Sequence, residues 1–127
     1  MIEKIFLVAI GGAIGASLRF LAVGWIGRML GEAIFGTIFV NVIGSFLMGI
    51  CAVLMFERAP DGLARVAAFL MPGVFGGFTT FSAFSLDAFR LYEGGRLLAA
   101  AGYVGASVMF SIAGLFIGIF LARSALA

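Results

Sequence analysis

Tyr103, Ser107 and Ser111 stand at i, i+4 and i+8 in a stretch with no charged residue. On a helix this spacing puts three hydroxyls on one stripe, over about 12 Å of rise. Each hydroxyl can turn its hydrogen toward an anion. A single serine in an apolar helix usually packs; three hydroxyls in line look more like a track. Phe81 and Phe84 are three apart and share a helix face. They read either as packing or as a pore lining, because an aromatic ring is positive at its edge. Edge-on rings meet an anion without capturing it, and conduction needs binding weak enough to let an ion leave. Asn41, in GTIFVNVIGS, either ties helices together or donates its N–H to a passing anion. Arg19 interrupts the first apolar run, and a mid-helix Arg costs about 2.5–3.5 kcal/mol on insertion scales. It either snorkels to an interface or faces an aqueous vestibule. Glu3, Glu32, Glu57, Asp61, Asp87 and Glu93 all read as lying at run ends or in loops. No acid in its own helix pairs Arg19, which favours an anion as its counter-charge.

The stretch GVFGGFTTFSAFS, residues 73–85, breaks a third apolar run. Pro72 lacks an N–H, and Gly73, Gly76 and Gly77 loosen the turn that follows. Irregular backbone at membrane depth is tolerated where it is buried in protein or lines a cavity. The interruption therefore serves packing, or its freed carbonyls bind a cation as in the discontinuous helices of transporters.

The elements that must position these residues follow from composition. Of the 127 residues, 64% are hydrophobic and 11% charged, against roughly 45–50% and 25% in a soluble domain. Mean hydropathy is +1.25. A chain this short has too little interior to hide so much apolar surface, so its solvent is lipid. A bilayer core of about 30 Å needs about 20 helical residues. Four runs qualify, giving an all-α membrane protein with one transmembrane domain over residues 1–127. The expected helices are about 4–29, 33–56, 63–90 with a break near 73–79, and 96–122. The runs lack alternation and are too long for barrel strands. A cleaved signal peptide is the competing reading of the N-terminus, but Arg19 and further apolar residues stand where a cleavage site should follow.

Cys51 is the only cysteine and there is no histidine, so an intramolecular disulfide, imidazole metal chemistry and Ser-His catalysis are excluded. The net charge of +2 requires no nucleic-acid partner. Four crossings put Lys4, Arg58, Arg65 and Arg123 on one side and Arg28, Arg90 and Arg96 on the other. A difference of 4 − 3 = 1 is a weak orientation signal. It leaves open either one fixed topology or insertion both ways with antiparallel pairing. Gly11–Gly15, Gly27–Gly31 and Gly114–Gly118 each match GxxxG, a pattern that lets helices touch backbone to backbone.

GGAIGASLR near the start, GTIFVNVIGSF at 36–46 and GVFGGFTTFSAFS at 73–85 together resemble the three signatures of the Fluc/CrcB fluoride channels, in order. The resemblance covers nearly the whole chain. It implies four helices with the third broken near mid-membrane, in a dual-topology antiparallel homodimer with two fluoride pores. It also implies a place in the cell inner (plasma) membrane and passive export of toxic fluoride, with no enzymatic activity. By the same resemblance, Phe81 and Phe84 match the Phe pair that lines the pores, and Asn41 the pore Asn. Arg19 matches the vestibule Arg. Gly76 and Thr79 match the positions whose backbone carbonyls hold a central sodium ion. Ser107 and Ser111 fall where the family has a polar track, and Tyr103 stands where relatives often carry Asn.

Two rivals belong to other classes. A proton-coupled multidrug exporter needs an intramembrane carboxylate, and none is expected here. A structural membrane subunit explains the glycines but not the Phe pair with the hydroxyl stripe. A membrane enzyme has no acid, His or metal cluster placed for catalysis.

Overall fold

The computed structural model describes residues 1–59 and 62–127; the expected loop position of Asp61 lies outside the described residues. Helix α1 runs Ile2–Leu30 and α2 runs Ala33–Ala52, continuing as a π-helical turn over Val53–Arg58. The third span opens with α3, Ala64–Ala68. It passes through a π-helical segment, Phe69–Phe75, into the single turn α4, Gly76–Phe78. Helix α5 is Ser82–Glu93 and α6 is Leu97–Ala125. Four helical stretches, Ile2–Leu30, Ala33–Arg58, Ala64–Glu93 and Leu97–Ala125, are long and apolar enough to cross a membrane.

Turn chemistry sets the ends. Gly31 closes α1 with a left-handed φ of 90° and donates to the Gly27 carbonyl. Only glycine takes that conformation without a Cβ clash. The Gly27–Gly31 pair is thus partly a helix cap rather than a packing face. Gly95, at φ 79°, turns the chain between α5 and α6 in the same way.

Small residues set the packing. A Cβ on Gly11 or Gly15 would run into the carbonyls of Phe69 and Val74, and one on Gly77 would lie 2.6 Å from the Gly12 carbonyl. Backbone of α1 therefore lies directly on the first half of the third span. Helices α2 and α6 form the most extensive pair. They cross where Gly49 meets the Leu115 carbonyl and Gly118 the Phe46 carbonyl. Ion pairs Glu3–Arg65 and Glu57–Arg123 join helix ends on one side, and Glu32–Arg96 does so on the other. The outer faces stay apolar: Phe20 is 80% exposed and Phe120 69%. In water such surfaces would aggregate; they suit lipid or another copy.

Pro72 does not end the helix. The chain stays helical through residues 73–78, with the proline inside the π-helical segment, whose wider turns relieve the clash a proline ring makes with the carbonyl four residues back. The first extended residue is Thr79, with φ −86° and ψ 159°. Residues 79–81 then link α4 to α5, so the expected break near 73–79 overlaps this link only at Thr79.

Candidate functional site

Every peptide group next to an interrupted helix needs a new partner, and side chains from α1 and α2 supply several. Arg19 Nε donates to the Gly77 carbonyl at 3.0 Å. Asn41 holds Thr80 twice: its Nδ2 donates to the Thr80 carbonyl at 3.0 Å, and its Oδ1 accepts from the Thr80 N–H at 2.7 Å. Thr79 satisfies itself, since its N–H and its hydroxyl both donate to the Phe75 carbonyl. Thr80 Oγ1 then accepts from the Ala83 N–H and so caps α5. Among the described residues no donor reaches the carbonyls of Gly76 and Thr79. Those two oxygens are free to take a partner from outside the chain.

A cavity of about 380 Å³ lies beside this link, between α2, α5 and α6. It brings together Asn41, Thr79, Phe81, Phe84, Ser107 and Ser111. The two rings meet edge-to-face, centroids 5.6 Å apart and planes at 63°. Phe84 is buried, whereas Phe81 is 79% exposed on the isolated chain. Across from them, the hydroxyls of Ser107 and Ser111 are buried with no hydrogen-bond partner among the described residues. An unsatisfied buried hydroxyl ordinarily costs about 1–3 kcal/mol. Both line the one cavity, at i and i+4 on α6.

Tyr103 does not line that cavity. Its ring tilts against Phe84, centroids 5.3 Å apart, and its hydroxyl donates to Asp87 Oδ2 at 2.9 Å. Thr37 Oγ1 donates to the same oxygen at 3.0 Å. Asp87 therefore corrects the expectation that all acids sit at ends or in loops. It lies inside α5, held by one hydroxyl from α2 and one from α6, both on buried residues. Thr37 carried a legible signal, for Thr37, Asn41 and Gly44 form an i, i+4, i+7 row on α2. Asp87 follows Phe84 by the same three-residue step that separates Phe81 from Phe84.

Arg19 faces a second cavity, of about 480 Å³, with Arg28, Thr37 and Thr80 on its walls. Only Nε is committed to Gly77, so its terminal amino groups remain for this space. Gly76 lies outside both cavities.

The fold and site define a class: a four-span membrane protein with a cavity lined by uncharged residues beside an irregular helix link. The model of the family described as CrcB-like protein, Camphor Resistance (CrcB), matches residues 6–119. Proteins named fluoride-specific ion channel FluC align over nearly the whole chain. That of Cereibacter sphaeroides is 51% identical over 124 residues, 97% of each chain. That of Rhodospirillum centenum is 48% identical over 129 residues, 98% of this chain and 99% of the relative. That of Agrobacterium fabrum is 46% identical over 122 residues, 95% and 97% respectively. The chain belongs to the CrcB family.

Proposed function

We propose that this protein is a passive fluoride channel of the plasma membrane that exports fluoride and so protects the cell. It works as an antiparallel, dual-topology homodimer with two pores. The observation that carries the reading is the pair of unpartnered Ser107 and Ser111 hydroxyls facing the Phe81–Phe84 pair in one cavity. The names of the near full-length relatives supply the ion.

Fluoride is small and strongly hydrated, so it moves only if its water shell is replaced in steps. Arg19, with its terminal amino groups free, draws the anion into the vestibule. The second hydrogen of Asn41 Nδ2 and the hydroxyls of Ser107 and Ser111 then donate in turn. Between these donors, the edges of Phe81 and Phe84 offer weak positive contact without a fixed charge. Residues 79–81 act as the mid-membrane interruption of the third helix, and both α1 and α2 hold it in shape. The carbonyls of Gly76 and Thr79, which find no donor among the described residues, fit a small hard cation, and in the dimer they would hold a sodium ion. Bound there, such an ion would add a fixed positive charge that favours anions nearby.

Fluoride efflux from proteoliposomes, read with a fluoride electrode, tests the reading. Fluoride should run down its gradient without a proton gradient, far faster than chloride. Equal fluxes of the two ions would overturn it. Asp87 gives the proton-coupled exporter one supporting feature, an acid within an apolar span. Its carboxylate is engaged by Thr37 and Tyr103, and fluoride flux that requires an imposed proton gradient would favour that rival.

A further inference from the structure

Helix α2 touches the third span at three successive points. Thr37 binds Asp87, Asn41 binds Thr80, and Gly44 packs against Thr79. The first two contacts are hydrogen bonds. The third is a matter of space alone. A Cβ on Gly44 would overlap the Thr79 γ2 methyl group and lie 3.3 Å from Phe78 Cδ2. The Thr79 Cβ itself would be 3.7 Å away, an ordinary contact.

The methyl group cannot simply swing aside. Thr79 is β-branched, so turning the methyl about χ1 turns the hydroxyl with it. That hydroxyl donates to the Phe75 carbonyl at 2.9 Å. A side chain at position 44 must therefore break this bond or push residues 79–81 away from α2. The push would strain the two Asn41–Thr80 bonds one turn earlier on the same helix and shift Phe81 in the cavity.

We propose that Gly44 is a positioning residue for the ion pathway: the space left by its missing side chain seats the Thr79 methyl, and this contact fixes where residues 79–81 meet the cavity. The proposal rests on the channel reading. It locates the requirement in one atom pair, which a double-mutant cycle isolates. The T79S substitution removes the γ2 methyl and keeps the hydroxyl; T79V keeps a branched shape and loses the hydroxyl.

The test compares wild type, G44A, T79S, G44A/T79S, T79V and G44A/T79V, each purified and assayed in the same liposomes per unit of folded protein. Against wild type, G44A should cut fluoride flux on the order of tenfold, the scale at which over-packing depopulates a native arrangement. Added to T79S, the same substitution should change flux by less than about twofold, since the overlapping atom is gone. Added to T79V, it should still cause the loss. If G44A fails to fold, recovery of a monodisperse protein in G44A/T79S but not in G44A/T79V supports the proposal equally. Equal losses from G44A with and without T79S would overturn the proposal while leaving the channel reading intact. Absence of fluoride flux in wild type would instead sink the channel reading. The seat is then judged on melting temperature: a drop caused by G44A that vanishes when T79S is also present upholds it, and equal melting of G44A and wild type overturns it.

Discussion

Around the cavity, some polar side chains complete the backbone, some pair with one another, and some find no partner among the described residues. Arg19 and Asn41 belong to the first group, spending Nε and half of an amide on the carbonyls of Gly77 and Thr80. Ser107 and Ser111 belong to the last. The difference yields a prediction. Removing a buried hydroxyl with no partner takes nothing from the fold, so S107A should melt at or above the wild-type temperature. Its fluoride flux should nonetheless fall, because a donor is gone from the pathway. A lower melting temperature with normal flux would show that the serine serves packing. For the Phe pair, F81I and F84I keep apolar bulk and remove the positive ring edge. Each should reduce flux in a folded protein, and normal flux in both would return the rings to a packing role. Phe84 touches Tyr103 as well as Phe81, so F84I should also lower stability by about 0.5–1.5 kcal/mol for the lost aromatic contact. For the exposed Phe81 the stability loss should be smaller.

The elements owe their arrangement to small residues more than to interlocking side chains. Gly118 approaches the Phe46 carbonyl and Gly49 the Leu115 carbonyl, which sets the α2–α6 crossing and hence the wall that carries Ser107 and Ser111. G118A should destabilise the protein by about 1–3 kcal/mol, the usual range for over-packing, because the atom in its way is backbone. Gly12 makes the control: a Cβ there meets nothing within 4 Å, so G12A should not lower the melting temperature. Equal losses from the two would mean the crossing is not set by this contact. Of the GxxxG pairs, Gly11–Gly15 and Gly114–Gly118 lie at helix contacts, whereas Gly31 caps α1. Spacing alone does not separate these roles, since a cap is defined by φ and a packing face by what lies opposite.

At the scale of the whole molecule, large apolar faces and one exposed cavity wall, Phe81 among it, await lipid or a second copy. The Lys and Arg residues are nearly balanced between the two ends, four against three, which under the positive-inside rule gives little bias to insertion. Adding two Lys at one end should force a single orientation. A variant so biased should lose fluoride flux alone and regain it when co-expressed with an oppositely biased partner. Full activity of the single-orientation variant would rule out an obligatory antiparallel pair. The three ion pairs seen at the helix ends among the described residues do not weigh against this, because exposed pairs contribute roughly 0–1 kcal/mol and hold the ends of one chain together in either orientation.

What the sequence determined was everything that depends on composition and run length: a lipid solvent, four helical spans, and no imidazole or intramolecular disulfide chemistry. These follow from local physics, since about 20 apolar residues without charge leave the backbone no alternative to a helix in a bilayer. The tertiary structure decided pairing, which depends on neighbours distant in the chain. It placed Asp87 between Thr37 and Tyr103, so that the Tyr103 hydroxyl is bound there, and it kept residues 73–78 helical, with Pro72 inside a π-helical segment, so that the first extended residue is Thr79. A residue's type states which bonds it is able to make. Which bond it makes is settled by the nearest unsatisfied group, and around Thr79 that group comes from α1 and α2, with sequence separations of 58 for the Arg19 bond and 39 for the Asn41 bonds.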